Sequence, residues 1–311
     1  MPKDKIIHKI SWRYAIEPMS GKENTYILRR RDGLILVFIE KVNNHIVSVR
    51  YHQTRNLSRR LLNYLAQFII SSGWYLSAEA AHTLGISIIR YHDGSEQYVT
   101  FPDLRRGRYI SLLQNNRDKT LAINSLSIHN LSLPDNIQSL TLETIGAQIK
   151  KLKIGNNSNI NINLRDNHLI KQLLVGNNFT GKIFLNNSDI KKFVLGHDAQ
   201  AEISYIYGTK PLSLVIGHNF QGSLSIGQSY LNGLSIGNNS SGHIKLNKCV
   251  SFRPLSIGHD SQSHIESSSI YAPYFAIGNN YSGFLKGRNP NPKQGVRKLF
   301  VGASFSGHIE I

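Results

Sequence analysis

LKIGNN at Leu152–Asn157 recurs as LLVGNN at Leu173–Asn178, FVLGHD at Phe193–Asp198 and LVIGHN at Leu214–Asn219. It continues as LSIGNN at Leu234–Asn239, LSIGHD at Leu255–Asp260 and FAIGNN at Phe275–Asn280. The glycines Gly155, Gly176, Gly196, Gly217, Gly237, Gly258, Gly278 and Gly302 are separated by 21, 20, 21, 20, 21, 20 and 24 residues. A fixed period near 20 residues marks a solenoid, in which each repeat buries its apolar face only by stacking on the next.

Each glycine is taken as position zero of its coil. Offsets −3 and −1 are then apolar in every coil, from Leu152/Ile154 to Leu299/Val301. Offset +5 is small (Gly181, Ala201, Gly222, Gly242, Ser263, Gly283, Gly307), and +7 and +9 are apolar in most coils, as in Ile183/Leu185 and Ile244/Leu246. Alternation with period two is a strand signature. Each coil therefore carries two short strands separated by a Gly-Asn-Asn corner. Strands this short complete their hydrogen bonds only on their equivalents in the next coil. The pattern predicts a parallel β-solenoid with coils about 4.8 Å apart. Degenerate slots at Gln114 and Pro134 precede the first glycine, so about ten coils of 20–21 residues are expected.

From Gly155 to Gly278 the residue after the glycine is Asn or His, and the next is Asn or Asp. Asn and Asp tolerate the left-handed backbone of a sharp corner, and stacked Asn side chains can hydrogen-bond along the rod. A short-period leucine-rich-repeat solenoid is the alternative, since Ile149-x-x-Leu152-x-Ile154-x-x-Asn157 fits its pattern. It fits less well, because the apolar residue due two places after the asparagine is replaced by Asn159, Thr180 or Gln200.

Upstream of the repeats the pattern changes. Tyr26–Leu28 and Leu34–Val42 flank Arg31-Asp32-Gly33, a strong hairpin signal, and Ile46–Tyr51 reads as a further strand. Leu57–Ile70 has helical apolar spacing, with Asn56 or Ser58 as its cap and Gly73 as its stop. A short helix over Ser77–Thr83 and a hairpin of Ile86–Tyr91 with Glu96–Phe101 complete the segment. Residues 1–106 are read as a small basic α+β domain and residues 107–311 as the solenoid.

The 311 residues carry a formal charge of +17, which favours nucleic acid, an anionic membrane or an acidic protein as partner. The candidate basic patches are Arg55, Arg59, Arg60, Arg105 and Arg106 in the first domain, with Arg108 just beyond it. In the last coil they are Lys286, Arg288, Lys293, Arg297 and Lys298. Cys249 is the only cysteine, so no disulfide can form within the chain, which suits a reducing compartment. The N-terminus has no signal-peptide core, and no apolar run is long enough to span a bilayer. A cytoplasmic protein, or one exported without a cleaved signal, is expected, with neither a cofactor nor a transmembrane segment.

Several constellations suggest chemistry. His197 and His218 share a slot on adjacent coils beside Asp198, which would place three ligands near one zinc ion. The alternative is that His simply replaces Asn in the corner. Parallel β-helices can carry glycan-cleaving sites, but these need paired carboxylates, and Asp198 and Asp260 lie three coils apart. Ala78–Ser87 resembles the middle of a helix-turn-helix, although Ile88–Gly94 reads as a strand entering a turn where a recognition helix should follow. Offset −2, which should face outward, holds Leu174, Val194, Val215 and Phe300, an apolar stripe that reads as a contacted surface. The last coil has no cap, so end-to-end assembly is a further expectation. A non-enzymatic protein-interaction or scaffold role is favoured, as a bacterial host-directed effector or a self-assembling cytoplasmic element. A carbohydrate-active enzyme and a DNA-binding regulator are the alternatives.

Overall fold

The computed structural model describes residues 8–11, 13–43, 45–51, 58–84, 86–99, 113, 118–124, 127–145, 148–166, 170–251, 253–268, 272–288, 296 and 298–310. Strand predominates. A small N-terminal sheet domain precedes a β-solenoid of about eight turns over residues 119–310.

The N-terminal sheet runs in chain order through β1 (His8–Ser11), β2 (Tyr14–Pro18), β3 (Thr25–Arg30), β4 (Ile35–Val42), β5 (His45–Tyr51) and β6 (Tyr75–Leu76). The first five strands form an antiparallel meander. Gly33 turns β3 into β4 at φ 88°, a conformation that costs a side-chain-bearing residue energy. Helix α1 (Arg59–Ser71) crosses over between β5 and β6, so that pair is parallel. Ser58 caps α1 by accepting the Leu61 N–H on its Oγ at 3.3 Å. The buried stripe Leu61–Leu65–Ile69 packs on Ile16, Leu28, Val37 and Ile39 of the sheet.

Helix α2 (Ala78–Leu84) leads into the hairpin β7 (Ser87–Tyr91) and β8 (Glu96–Val99). Strand β7 also pairs antiparallel with β9 (Lys119–Asn124), the first strand of the solenoid, through Ile88↔Ala122 and Ile89↔Leu121. Side chains alternate along a strand. Ile88 therefore enters the core of the first domain and Ile89 the core of the solenoid. The hairpin thus covers the exposed edge of the first coil, where unpaired backbone groups would otherwise recruit another chain. About eight turns form, slightly fewer than the ten expected. The edge a further coil would need is occupied by β7, and the first slot, Gln114, lies outside the described residues.

Both strands of each coil stack on their equivalents, all parallel and in register. On the first side the −3 column runs Leu152, Leu173, Phe193, Leu214, Leu234, Leu255, Phe275 and Leu299. On the second side the +7 column runs Ile162, Ile183, Ile203, Leu224, Ile244, Ile265, Leu285 and Ile309. A leucine-rich repeat has no such regular second ladder. Each buried Leu, Ile or Phe contributes about 1.5–3 kcal/mol of transfer free energy, and every coil from Gly155 to Gly237 buries several of them.

A further interior column sits at +3: Ser158, Phe179, Ala199, Phe220, Ser240, Ser261 and Tyr281, all buried. Its ring-bearing members fill space left by small residues at +5. A Cβ on Gly242 would stand 2.6 Å from the Phe220 ring.

The slot glycine is required by proximity. A Cβ on Gly176 would meet Asn156 Oδ1 at 2.6 Å and the Gly155 carbonyl carbon at 2.8 Å. Each corner therefore nests directly against the corner of the preceding coil.

Candidate functional site

The corner residues face solvent, and their side-chain acceptor atoms are engaged across coils. Asn156 Oδ1 accepts the backbone N–H of Asn177 at 2.9 Å, and Asn177 Oδ1 accepts that of His197 at 2.8 Å. His197 Nδ1 then accepts the N–H of His218 at 3.0 Å. The chain continues through His218, Asn238, His259 and Asn279 to the N–H of Ala303. Oδ1 of Asn or Asp and Nδ1 of His occupy the same place in the side chain, one bond beyond Cγ. That shared acceptor position is why Asn and His interchange at this slot, and why Asp135 Oδ1 can accept the Asn156 N–H at 2.6 Å one coil earlier. A ring that accepts on Nδ1 carries its proton on Nε2.

At the next position a second ladder joins side chains directly, as Asn178 Nδ2 to Asn157 Oδ1 at 2.8 Å and Asn219 Nδ2 to Asp198 Oδ1 at 2.7 Å. These residues sit at φ 53–58°, where Asn and Asp are the favoured side-chain-bearing residues. His197, His218 and Asp198 are thus parts of two ladders. The imidazoles stack 4.9 Å apart and nearly parallel, and the carboxylate turns to Asn219.

Three lysines of the second side are paired with carboxylates across coils. Lys182 lies 2.8 Å from Glu202, Lys245 lies 3.9 Å from Glu266, and Lys286 lies 3.4 Å from Glu310. Beside them runs an aromatic column of His243, His264, Phe284 and His308. Glu266 receives both histidines: His264 Nε2 lies 3.3 Å from Oε1 and His243 Nε2 lies 3.8 Å from Oε2. The hydrogen bond from His264, with His243 and Lys245 adding positive charge, holds the Glu266 carboxyl below its ordinary value.

The first side is different. Leu174, Val194 and Val215 lie in register on three successive strands, half-buried at Leu174 and Val194 and 36% exposed at Val215. Around them stand Lys151, Lys153, Lys171, Lys191 and Lys192, and among the described residues none is joined to a carboxylate. Lys171 and Lys191 lie directly between the register pairs Ile170↔Ile190 and Gln172↔Lys192, so their ammonium groups leave adjacent rungs. Sequence reasoning missed this cluster. Its signal was present at offsets −5 and −4 of the same alignment, in Lys150-Lys151, Lys171 and Lys191-Lys192.

Of the expected basic patches, Arg55, Arg105, Arg106, Arg108, Lys293 and Arg297 lie outside the described residues. Arg59 and Arg60 open α1, and Arg288 ends the strand Phe284–Arg288, with their side chains outside what is described. Lys286 is the partner of Glu310, and Lys298 Nζ lies 5.8 Å from the Tyr274 ring centroid. Phe300 is 54% exposed, with its ring 6.1 Å from that of Tyr274. Where a recognition helix would follow α2, the chain instead enters β7, with Ile86, Ile88 and Ile89 buried.

A polar cleft of about 430 Å³ opens where the β7–β8 hairpin meets the first coils. Arg90, His92, Asp118, Lys119, Asn159 and Asn161 help to line it. Among the described residues Asp118 is its one lining carboxylate, whereas glycosidic cleavage by acid–base chemistry uses two. Burial pushes the Lys119 ammonium below its ordinary value. Among the described residues no helix is long and apolar enough to cross a membrane. No known family model, no curated protein and no solved structure matches the chain.

Proposed function

We propose that the chain is a non-enzymatic interaction scaffold, and that the first side of its solenoid binds an acidic protein surface. The observation that carries this is the contrast between the two sides. On the second side, lysines at 182, 245 and 286 each lie within 4.0 Å of a carboxylate on the adjacent coil. On the first, five lysines without such partners surround the row Leu174–Val194–Val215. Like charges on adjacent rungs destabilise a sheet, so the fold itself gains nothing from them.

An apolar centre with a charged rim is the anatomy of a protein-binding surface. The partner's chemistry follows from complementarity: carboxylates for the lysines and apolar side chains for the row. A second copy of the chain would bring the same lysines face to face, which costs energy rather than releasing it. A nucleic-acid duplex offers phosphates to the lysines but nothing to the valines. The carboxylates that an enzyme would need are engaged elsewhere, Glu202 with Lys182 and Asp198 with Asn219.

The reading is tested by neutralising the lysines of one side at a time. Lys171→Gln/Lys191→Gln/Lys192→Gln removes as much charge as Lys182→Gln/Lys245→Gln/Lys286→Gln. Only the first set is expected to abolish binding to an acidic polypeptide.

A further inference from the structure

His243 and His264 are direct partners on adjacent parallel strands, and Glu266 lies two residues beyond His264 on the same outward face. One ligand atom from each of the three lies within 4.8 Å of the others. His264 Nε2 lies 3.3 Å from Glu266 Oε1, and His243 Nε2 lies 3.8 Å from Glu266 Oε2. With metal–ligand bonds of 2.0–2.1 Å, the edge of a tetrahedral site is roughly 3.3 Å. Small rotations of exposed side chains bridge the difference.

Ring orientation is the second observation. Along this column, His264 and Phe284 are 12° from parallel, and Phe284 and His308 are 11° from parallel. The stacked corner histidines, His197 and His218, are 10° from parallel. His243 alone is turned, by 62° to His264, and its Nε2 faces the carboxylate. The corner histidines hold the backbone of the next coil through Nδ1. In the His243–His264 pair, both nitrogens that converge on Glu266 are Nε2.

We propose that His243, His264 and Glu266 form a binding site for a late first-row divalent cation of the zinc class, clamping two adjacent coils of the second side. Two imidazoles and one carboxylate are a borderline donor set that suits zinc, and three protein ligands leave a position for water. Lys245 Nζ, 3.9 Å from Glu266 Oε2, is the built-in competitor that the metal displaces. The site lies on a different ladder from the lysine-rimmed row, so the two proposals stand or fall separately.

The test is calorimetric titration of the whole chain with zinc chloride near neutral pH. The chain has 13 histidines, so weak binding elsewhere makes the variants decisive. The wild type is expected to bind one zinc tightly. His264→Ala and Glu266→Gln should each weaken that binding by about tenfold or more. His218→Asn, at the corner, should leave it unchanged, and Lys245→Met should strengthen it. Cobalt in place of zinc should give the intense visible absorption of a tetrahedral site, lost in Glu266→Gln. Circular dichroism checks that each variant is folded. No tight site in the wild type, or equal affinity in wild type, His264→Ala and Glu266→Gln, would overturn the assignment and leave the triad a hydrogen-bonded column only.

Discussion

His218 Nδ1 accepts the backbone N–H of Asn238 from the next coil at 2.9 Å. The imidazole does there what an asparagine oxygen does one coil on, where Asn238 Oδ1 accepts the N–H of His259 at 2.9 Å. The histidines of the corner are therefore expected to be replaceable by asparagine. His218→Asn should leave stability within about 0.5 kcal/mol of wild type, whereas His218→Leu should cost about 1 kcal/mol. Amide hydrogen exchange at Asn238 gives the sharper test, because long repeat arrays need not unfold as one unit. Exchange there should accelerate in His218→Leu and not in His218→Asn. Equal acceleration in both would contradict the ladder.

Two glycines of the same solenoid should respond oppositely to alanine. A Cβ on Gly217 would lie 2.6 Å from the carbonyl carbon of Gly196, so Gly217→Ala has to push two coils apart. It should destabilise by about 1–3 kcal/mol. Around Gly227 a Cβ meets nothing within 4 Å, and Gly227→Ala should change stability by less than about 0.5 kcal/mol. Urea midpoints of the two variants separate close approach from a general intolerance of side chains in the repeats.

Alkaline pH should weaken the solenoid from within. Burial raises the Cys249 thiol from its ordinary 9.0 to about 11, and raises the Tyr205 and Tyr281 hydroxyls from 10.0 to about 12. These groups ionise in the unfolded chain before they can ionise in the fold. Stability is therefore unaffected below about pH 9 and falls as pH rises through the folded values. The thiol alone accounts for about 2 kcal/mol between pH 9 and 11. Cys249→Ser places there the residue that other coils already bury at Ser188 and Ser229. In that variant the decline should begin about one pH unit later. An unchanged onset would show that the thiol is not sequestered.

The repeat was legible in the sequence because its signal is a column. Equivalent residues stack at a fixed offset, so apolar −3, −1, +7 and +9 positions declare themselves by repetition. The +3 column escaped because its members alternate in size. Ser158, Phe179 and Ala199 look unrelated until Gly242 is seen to make room for Phe220. The β7–β9 pairing escaped for another reason: it is antiparallel, unique and lies outside the period. The lysine cluster was missed because charge was read along the chain, where Lys150-Lys151 and Lys191-Lys192 are only dipeptides. The ladder brings them onto one surface. At the corner, the sequence left metal binding and structural substitution both open for His197 and His218, and it could not show that Nδ1 of each accepts a backbone N–H of the next coil.

Recognition of a partner through the first side of the solenoid, and not through the net charge of +17, is tested most directly by fluorescence anisotropy with three labelled probes at one ionic strength. The probes are poly-glutamate, a glutamate–leucine copolymer and duplex DNA. The copolymer should bind most tightly, because it alone offers both carboxylates and apolar side chains. Lys171→Gln/Lys191→Gln/Lys192→Gln should abolish that binding and Lys182→Gln/Lys245→Gln/Lys286→Gln should not. Val194→Ser/Val215→Ser should erase the preference for copolymer over poly-glutamate. Equal losses in the two charge-matched lysine variants, or tighter binding of the duplex than of the copolymer, would contradict recognition through this side.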